Sequence, residues 1–126
     1  MPNTILLVAA VLTVAIGVAH SWIGERRLIG PLLAPDRLSG MLAKSDFARQ
    51  TLRFAWHITS VAWWGIAAIL VAIALRPIDG TGRWTLIAIA ITFLISGLTT
   101  LVVSRGRHLA WPVFLAIAGL SLVPLL

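Results

Sequence analysis

Four stretches of this chain run almost without a charge, and the polar residues gather between them. The apolar runs are Thr4–Ile23, Phe54–Leu75, Trp84–Val103 and Leu109–Leu126, the last with Pro112 near its start and Pro124 near its end. Each approaches the ~20 residues that carry a helix across ~30 Å of hydrocarbon. A helix satisfies its own backbone hydrogen bonds inside lipid, so the four runs predict an all-α, four-helix transmembrane bundle forming one domain. The first run has no basic residues ahead of it and is too long for a secretory h-region. It reads as a first transmembrane helix rather than a removable signal.

The connections differ in length and charge. Gly24–Arg53 is long and holds Arg26, Arg27, Arg37, Lys44, Arg49 and Arg53. Arg76–Arg83 is a tight turn bounded by two arginines, and Ser104–His108 carries Arg105 and Arg107. Four spans place the first and third connections on one side, which then holds every basic side chain except Arg76 and Arg83. By the positive-inside rule that side is cytoplasmic and both termini face outward. Within the long connection, Leu38, Met41 and Leu42 follow Pro35–Asp36 at i, i+3, i+4 spacing, which predicts a short helix on the membrane surface. Ser45 or Asp46 can then cap a second helix of about 30 residues, whose polar first turns reach out of the hydrocarbon.

Composition agrees with this picture. The chain is 60% hydrophobic and only 11% charged, with a mean hydropathy of +1.00. A soluble domain carries about 25% charged residues to cover its surface. The net charge of +6 sits beside apolar runs, so it reports orientation in a membrane rather than nucleic-acid binding. There is no cysteine and no tyrosine, which excludes thiolate ligands, thiol nucleophiles and a phenolic proton donor.

The candidate chemistry lies at one depth. His20 closes the first run, His57 lies one turn into the second, and His108 stands at the start of the fourth. Each has a tryptophan close by in Trp22, Trp56 or Trp111, and the only glutamate, Glu25, follows His20. Arg53, His57, Ser60 and Trp64 share one helix face. An ionisable group inside a membrane is costly unless paired, so His57 is expected to face the bundle interior.

Three readings of this constellation stay open. The tryptophans can be an interfacial belt with arginines reaching to phosphates, though Trp63 and Trp64 lie too deep for it. His20, His57, His108 and Glu25 can be ligands of a metal ion, or two of the histidines can hold a haem iron. Alternatively Arg26, Arg27, Arg53, Arg105 and Arg107 can hold an anionic lipid or a quinone headgroup against His57, with Trp56 and Trp64 as pocket walls. Small residues recur every fourth position at Ala9, Thr13, Gly17 and Ser21, and again at Thr92, Ser96, Thr100 and Ser104. Such rows let helices pack closely or can lay a polar track for a proton or ligand, and they support a competing class, an accessory subunit that recognises a membrane-protein partner or a second copy of itself. No nucleophile-and-base pair is visible, so an enzymatic role is left open. The size is that of the small multidrug exporters, but those need an acid within the first helix, and here there is none.

HSWIGERRLIGPLL (His20–Leu33) and TLRFAWHITSVAWWG (Thr51–Gly65) resemble a group of short bacterial inner-membrane proteins of unassigned function. The likeness runs over most of the chain, through H-S-x-x-G-E-R and R-F-A-W-H-x-T-S. It implies a multi-pass protein of the bacterial inner membrane and brings no activity with it.

Overall fold

The Asn3 side chain accepts a hydrogen bond from the Leu6 N–H and starts α1 (Thr4–Gly24). The computed structural model describes residues 1–126, and in it α1 does not stop at Gly24. It passes through a π-helical turn, Glu25–Ile29, into α2 (Gly30–Leu32), so one helical rod runs from Thr4 to Leu32. Pro31 accounts for the wide turn. It has no N–H for the carbonyl four residues back and its ring crowds that carbonyl, while the π register lets Gly30 N–H bond to Glu25 C=O instead. The connection expected from Gly24 onward is therefore helical to Leu32.

The surface helix expected after Pro35 is broken in two. A single 3-10 turn, Pro35–Arg37, precedes α3 (Gly40–Lys44), and Gly40 sits at φ 57°, in the left-handed region that breaks a continuous helix. Ser45 then caps α4 (Asp46–Ala74) by accepting from Ala48 N–H, giving the 29-residue helix the sequence predicted. Asp79 starts α5 (Gly80–Val103) by accepting from Gly82 N–H at 2.7 Å, one turn earlier than the apolar run suggests. Pro112 lies in the first turn of α6 (Ala110–Leu122), where a missing N–H costs nothing, and the chain ends in a 3-10 turn at Val123–Leu125.

Three of these helical segments are long and apolar enough to cross a membrane: Thr4–Leu32, Asp46–Ala74 and Gly80–Ser104. With 13 residues, α6 is shorter, about 20 Å at 1.5 Å per residue. The bundle is built from two pairs, α1 along α4 and α5 along α6, joined where α1 packs on α6. Leu6, Ala9 and Ala10 meet Leu70 and Ala74 of α4, Phe93 of α5, and Phe114 and Ile117 of α6 in one core. Large apolar side chains such as Val11, Ile58, Val61, Ile91 and Ile95 are exposed around the outside. A bundle apolar on both its inner and outer faces is the pattern of a lipid-embedded one.

Asn3 N–H donates to Ala74 C=O at 2.7 Å, and the C-terminal turn also touches α1. Both termini thus lie at one end, beside the α4–α5 turn. The opposite end carries the long connection and the α5–α6 turn, and with them all the basic residues except Arg76 and Arg83. This basic end holds the candidate site.

Candidate functional site

The α1–α4 crossing is close because two glycines face two indoles. A Cβ on Gly24 would stand 2.4 Å from Trp56 Nε1, and one on Gly17 would stand 2.6 Å from Trp64 Nε1. The row Ala9, Thr13, Gly17 is buried here and serves packing within the chain. Both indoles are also pinned by hydrogen bonds to the facing helix. Trp56 Nε1 donates to His20 C=O at 3.1 Å and Trp64 Nε1 to Val14 C=O at 3.3 Å.

Between these two anchors runs a chain of polar contacts. Arg53 Nη2 lies 2.9 Å from Glu25 Oε1, and His57 Nε2 lies 3.0 Å from Glu25 Oε2. On its other side, His57 Nδ1 lies 2.9 Å from Ser21 Oγ. Ser21 Oγ donates to Ser60 Oγ at 2.8 Å, and Ser60 Oγ donates to Gly17 C=O at 2.8 Å. Helical spacing explains why one face of each helix supplies the whole set. Gly17 and Ser21 of α1 and Glu25 at the start of the π turn follow at i+4, while Arg53, His57, Ser60 and Trp64 form one stripe on α4. No buried polar side-chain atom in the protein lacks a partner.

The chain lines a shallow cleft of about 350 Å³ on the outer side of the α1–α4 pair. Val18, Trp22 and Trp64 line it together with Ser21, Glu25 and His57, and the three polar residues contribute almost none of its open surface. His57 therefore faces an outward-opening cleft rather than the bundle interior, with its side chain 36% exposed. A second, polar hollow of about 200 Å³ lies toward the basic end, lined by Leu33, Asp46, Arg49, Gln50 and Arg53. The Arg53–Glu25 ion pair is the partition between the two.

The expected set of ligands divides. Glu25 and His57 meet, but His20 turns to the other face of α1. Its ring stacks on Trp56 at 4.3 Å, meets Trp63 edge-on at 5.0 Å, and places Nε2 3.2 Å from Trp56 C=O. His108 is exposed in the α5–α6 connection, and its Nδ1 accepts from Ala110 N–H. No three His, Asp or Glu side chains are grouped so as to hold a metal ion. The structure therefore does not gather His20, Glu25, His57 and His108 into one shell around a metal ion. The arginine cluster divides too. Arg53 is paired to Glu25 and Arg26 lies 4.6 Å over the Trp22 ring, while Arg27, Arg105 and Arg107 are exposed and form no ion pair. Trp64 lines the cleft, whereas Trp56 does not and stacks on His20.

Ser21, in a row that could serve packing or a polar track, links the two helices through Ser60 and His57. The order hydroxyl, imidazole, carboxylate is also that of a hydrolytic triad, which the sequence did not reveal. The chemistry differs, because Ser21 gives its hydrogen to Ser60 and not to His57. Ser21 also lies in mid-helix, where backbone N–H groups are committed and cannot form an oxyanion hole. The arrangement is a hydrogen-bonded chain with no hydroxyl poised to attack a carbonyl.

Compared with known proteins, the chain matches no family model, and no curated protein or solved structure is significantly similar to it. Function has to be read from the site itself.

Proposed function

We propose that the bundle lies in the bacterial inner membrane, with its basic end cytoplasmic and both termini outside. In this reading the outward cleft receives the headgroup of a long-chain amphiphile from the side. The observation that carries it is the cleft's make-up: apolar and aromatic walls around a floor of Ser21, Glu25 and His57. An opening to the outer face of a bundle is an opening to lipid, and Trp22 and Trp64 suit a flat ring.

The charge of the floor chooses among headgroups. Its one carboxylate is balanced by Arg53, and no unpaired cation lines the cleft. The pair leaves no net positive charge on the floor to draw an anionic phospholipid. A neutral ring bearing oxygen substituents, as in an isoprenoid quinone, fits better.

The test is organic extraction of protein purified in mild detergent, followed by mass spectrometry. The wild type should release an isoprenoid quinone at close to one per chain, and His57→Ala should release much less. Equal and trace amounts in both preparations would defeat the headgroup reading.

A further inference from the structure

The hollow between the end of the first helical rod and the start of α4 differs from the cleft in showing polar side chains to its interior. Leu33 forms one wall, and Asp46, Arg49, Gln50 and Arg53 form the rest. These four stand at i, i+3, i+4 and i+7 of α4 and make one stripe. A volume of about 200 Å³ is the space of about six or seven liquid waters, room for a phosphate with a short arm.

The lining is partly committed and partly open. Arg49 Nη1 donates to Leu42 C=O and Nη2 to Asp46 Oδ1, so that guanidinium is spent on the protein. Asp46 keeps its second oxygen, on a side chain that is 82% exposed. Arg53 meets Glu25 through Nη2 alone, which leaves Nε and Nη1 to donate elsewhere. Gln50 is exposed between them. Arg49 is offset by Asp46 and Arg53 by Glu25, so the hollow offers separated positive and negative groups with no net charge. That suits a zwitterion better than an anion.

The order of the groups narrows the choice. Asp46 opens α4 at the basic end, and Gln50 and Arg53 lie about one and two turns nearer the apolar run. A phospholipid in that leaflet carries its groups in the same order: ammonium outermost, then phosphate, then chains. Leu32 and Phe54, each next in sequence to a lining residue, are exposed apolar side chains that can flank those chains.

We infer that the hollow binds the headgroup of a phospholipid bearing a primary ammonium, such as phosphatidylethanolamine. Arg53 Nε and Nη1 and the Gln50 amide donate to the phosphate, and Asp46 Oδ2 accepts from the ammonium. Asp46 and Gln50 are four residues apart, ~6 Å of helix rise, which a two-carbon arm with a hydrogen bond at each end spans. A choline headgroup has no N–H to give Asp46. A glycerol headgroup brings a net negative charge that the paired cations do not balance. The inference uses the membrane orientation proposed above but not the ligand of the cleft. Asp46 is largely exposed, so its bond ranks with surface ion pairs and a preference of about fivefold is expected.

The test is competition in detergent, read by native mass spectrometry. Phosphatidylethanolamine, phosphatidylcholine and phosphatidylglycerol with identical chains are offered in equal amounts. The first should be retained at one per chain, about fivefold over either competitor. Asp46→Asn keeps the shape without the charge and should lower it to the level of phosphatidylcholine. Arg53→Gln should lower retention of all three, whereas Arg37→Gln, an exposed charge outside the hollow, should change nothing. Thermal unfolding in the same detergent identifies any variant that is not folded. A preference for phosphatidylglycerol, or one for phosphatidylethanolamine that survives in folded Asp46→Asn, would overturn the zwitterion reading. Displacement of the lipid by soluble phosphoethanolamine at equal concentration would make the ligand a free ester and end the lipid assignment. His57→Ala, which tests the cleft, should leave this retention intact; its loss there would mean that hollow and cleft are not separate sites.

Discussion

Two helices of this bundle carry small polar residues at the same four-residue spacing and put them to different use. On α5, Thr92, Ser96 and Thr100 each donate back to the carbonyl four residues earlier, at 2.9, 2.8 and 2.7 Å, and touch no other helix through those bonds. On α1 the equivalent bond, from Ser21 to Gly17 C=O, is not made. Ser60 of α4 takes that carbonyl, and Ser21 turns to Ser60 and His57. A hydroxyl row by itself satisfies its own helix. It becomes a site only when a facing helix brings groups that compete for the same acceptors.

The largest break in this comparison should come from the glycines that let α4 approach. A methyl group on Gly24 would fall within 2.6 Å of three atoms of the Trp56 indole, a rigid ring also held by His20. Gly24→Ala should therefore cost ~2–3 kcal/mol of stability through overpacking. Gly65 has nothing within 4 Å of the added carbon, so Gly65→Ala should change stability by less than ~1 kcal/mol. Thermal unfolding in one detergent compares the pair directly. Equal shifts would mean that the close approach is not what holds α1 to α4.

A smaller contrast is expected between the two hydroxyl rows. Ser60 is fully buried and both donates and accepts, so Ser60→Ala should cost ~1–2 kcal/mol and strand Ser21. Ser96→Ala removes only a bond within its own helix and should cost under ~0.5 kcal/mol. Histidine nitrogen-15 spectra sharpen the point, since only Ser60→Ala should alter His57. An unchanged His57 signal in Ser60→Ala would show that the polar chain is not coupled.

How much of this was legible follows from what sequence spacing encodes. Hydropathy gave the helices, and the caps Ser45 and Asp79 are local signals. The helical run past Gly24 was hidden because Glu25, Arg26 and Arg27 look like a loop, while the π turn that carries the rod to Pro31 has no pattern of its own. In the site, depth was legible and angle was neglected. Five residues separate His20 from Glu25, which is about 140° around a helix at 3.6 residues per turn, so they never shared a face. Ser21, four residues from Glu25, did. His108 lies outside what spacing encodes. Its depth could be placed, but nothing local says which way the α5–α6 connection turns it.

The smallest expected effect on stability falls on Arg53, and it tests the partition rather than the packing. Its side chain is 50% exposed, so its bond to Glu25 is worth at most ~1 kcal/mol, and Arg53→Ala should unfold almost as the wild type does. Arg105→Ala and Arg107→Ala, which break no ion pair, should not differ from wild type at all. Yet Arg53 alone belongs both to the polar hollow and to the polar chain of the cleft. Removing it joins the hollow to Glu25, and exchange of the His57 ring hydrogens with water should become faster. Arg53→Lys keeps the charge without the planar fork and should fall between the two. A large loss of stability in Arg53→Ala would make the arginine a structural prop. Unchanged exchange would mean that the hollow and the cleft are not two sides of one barrier.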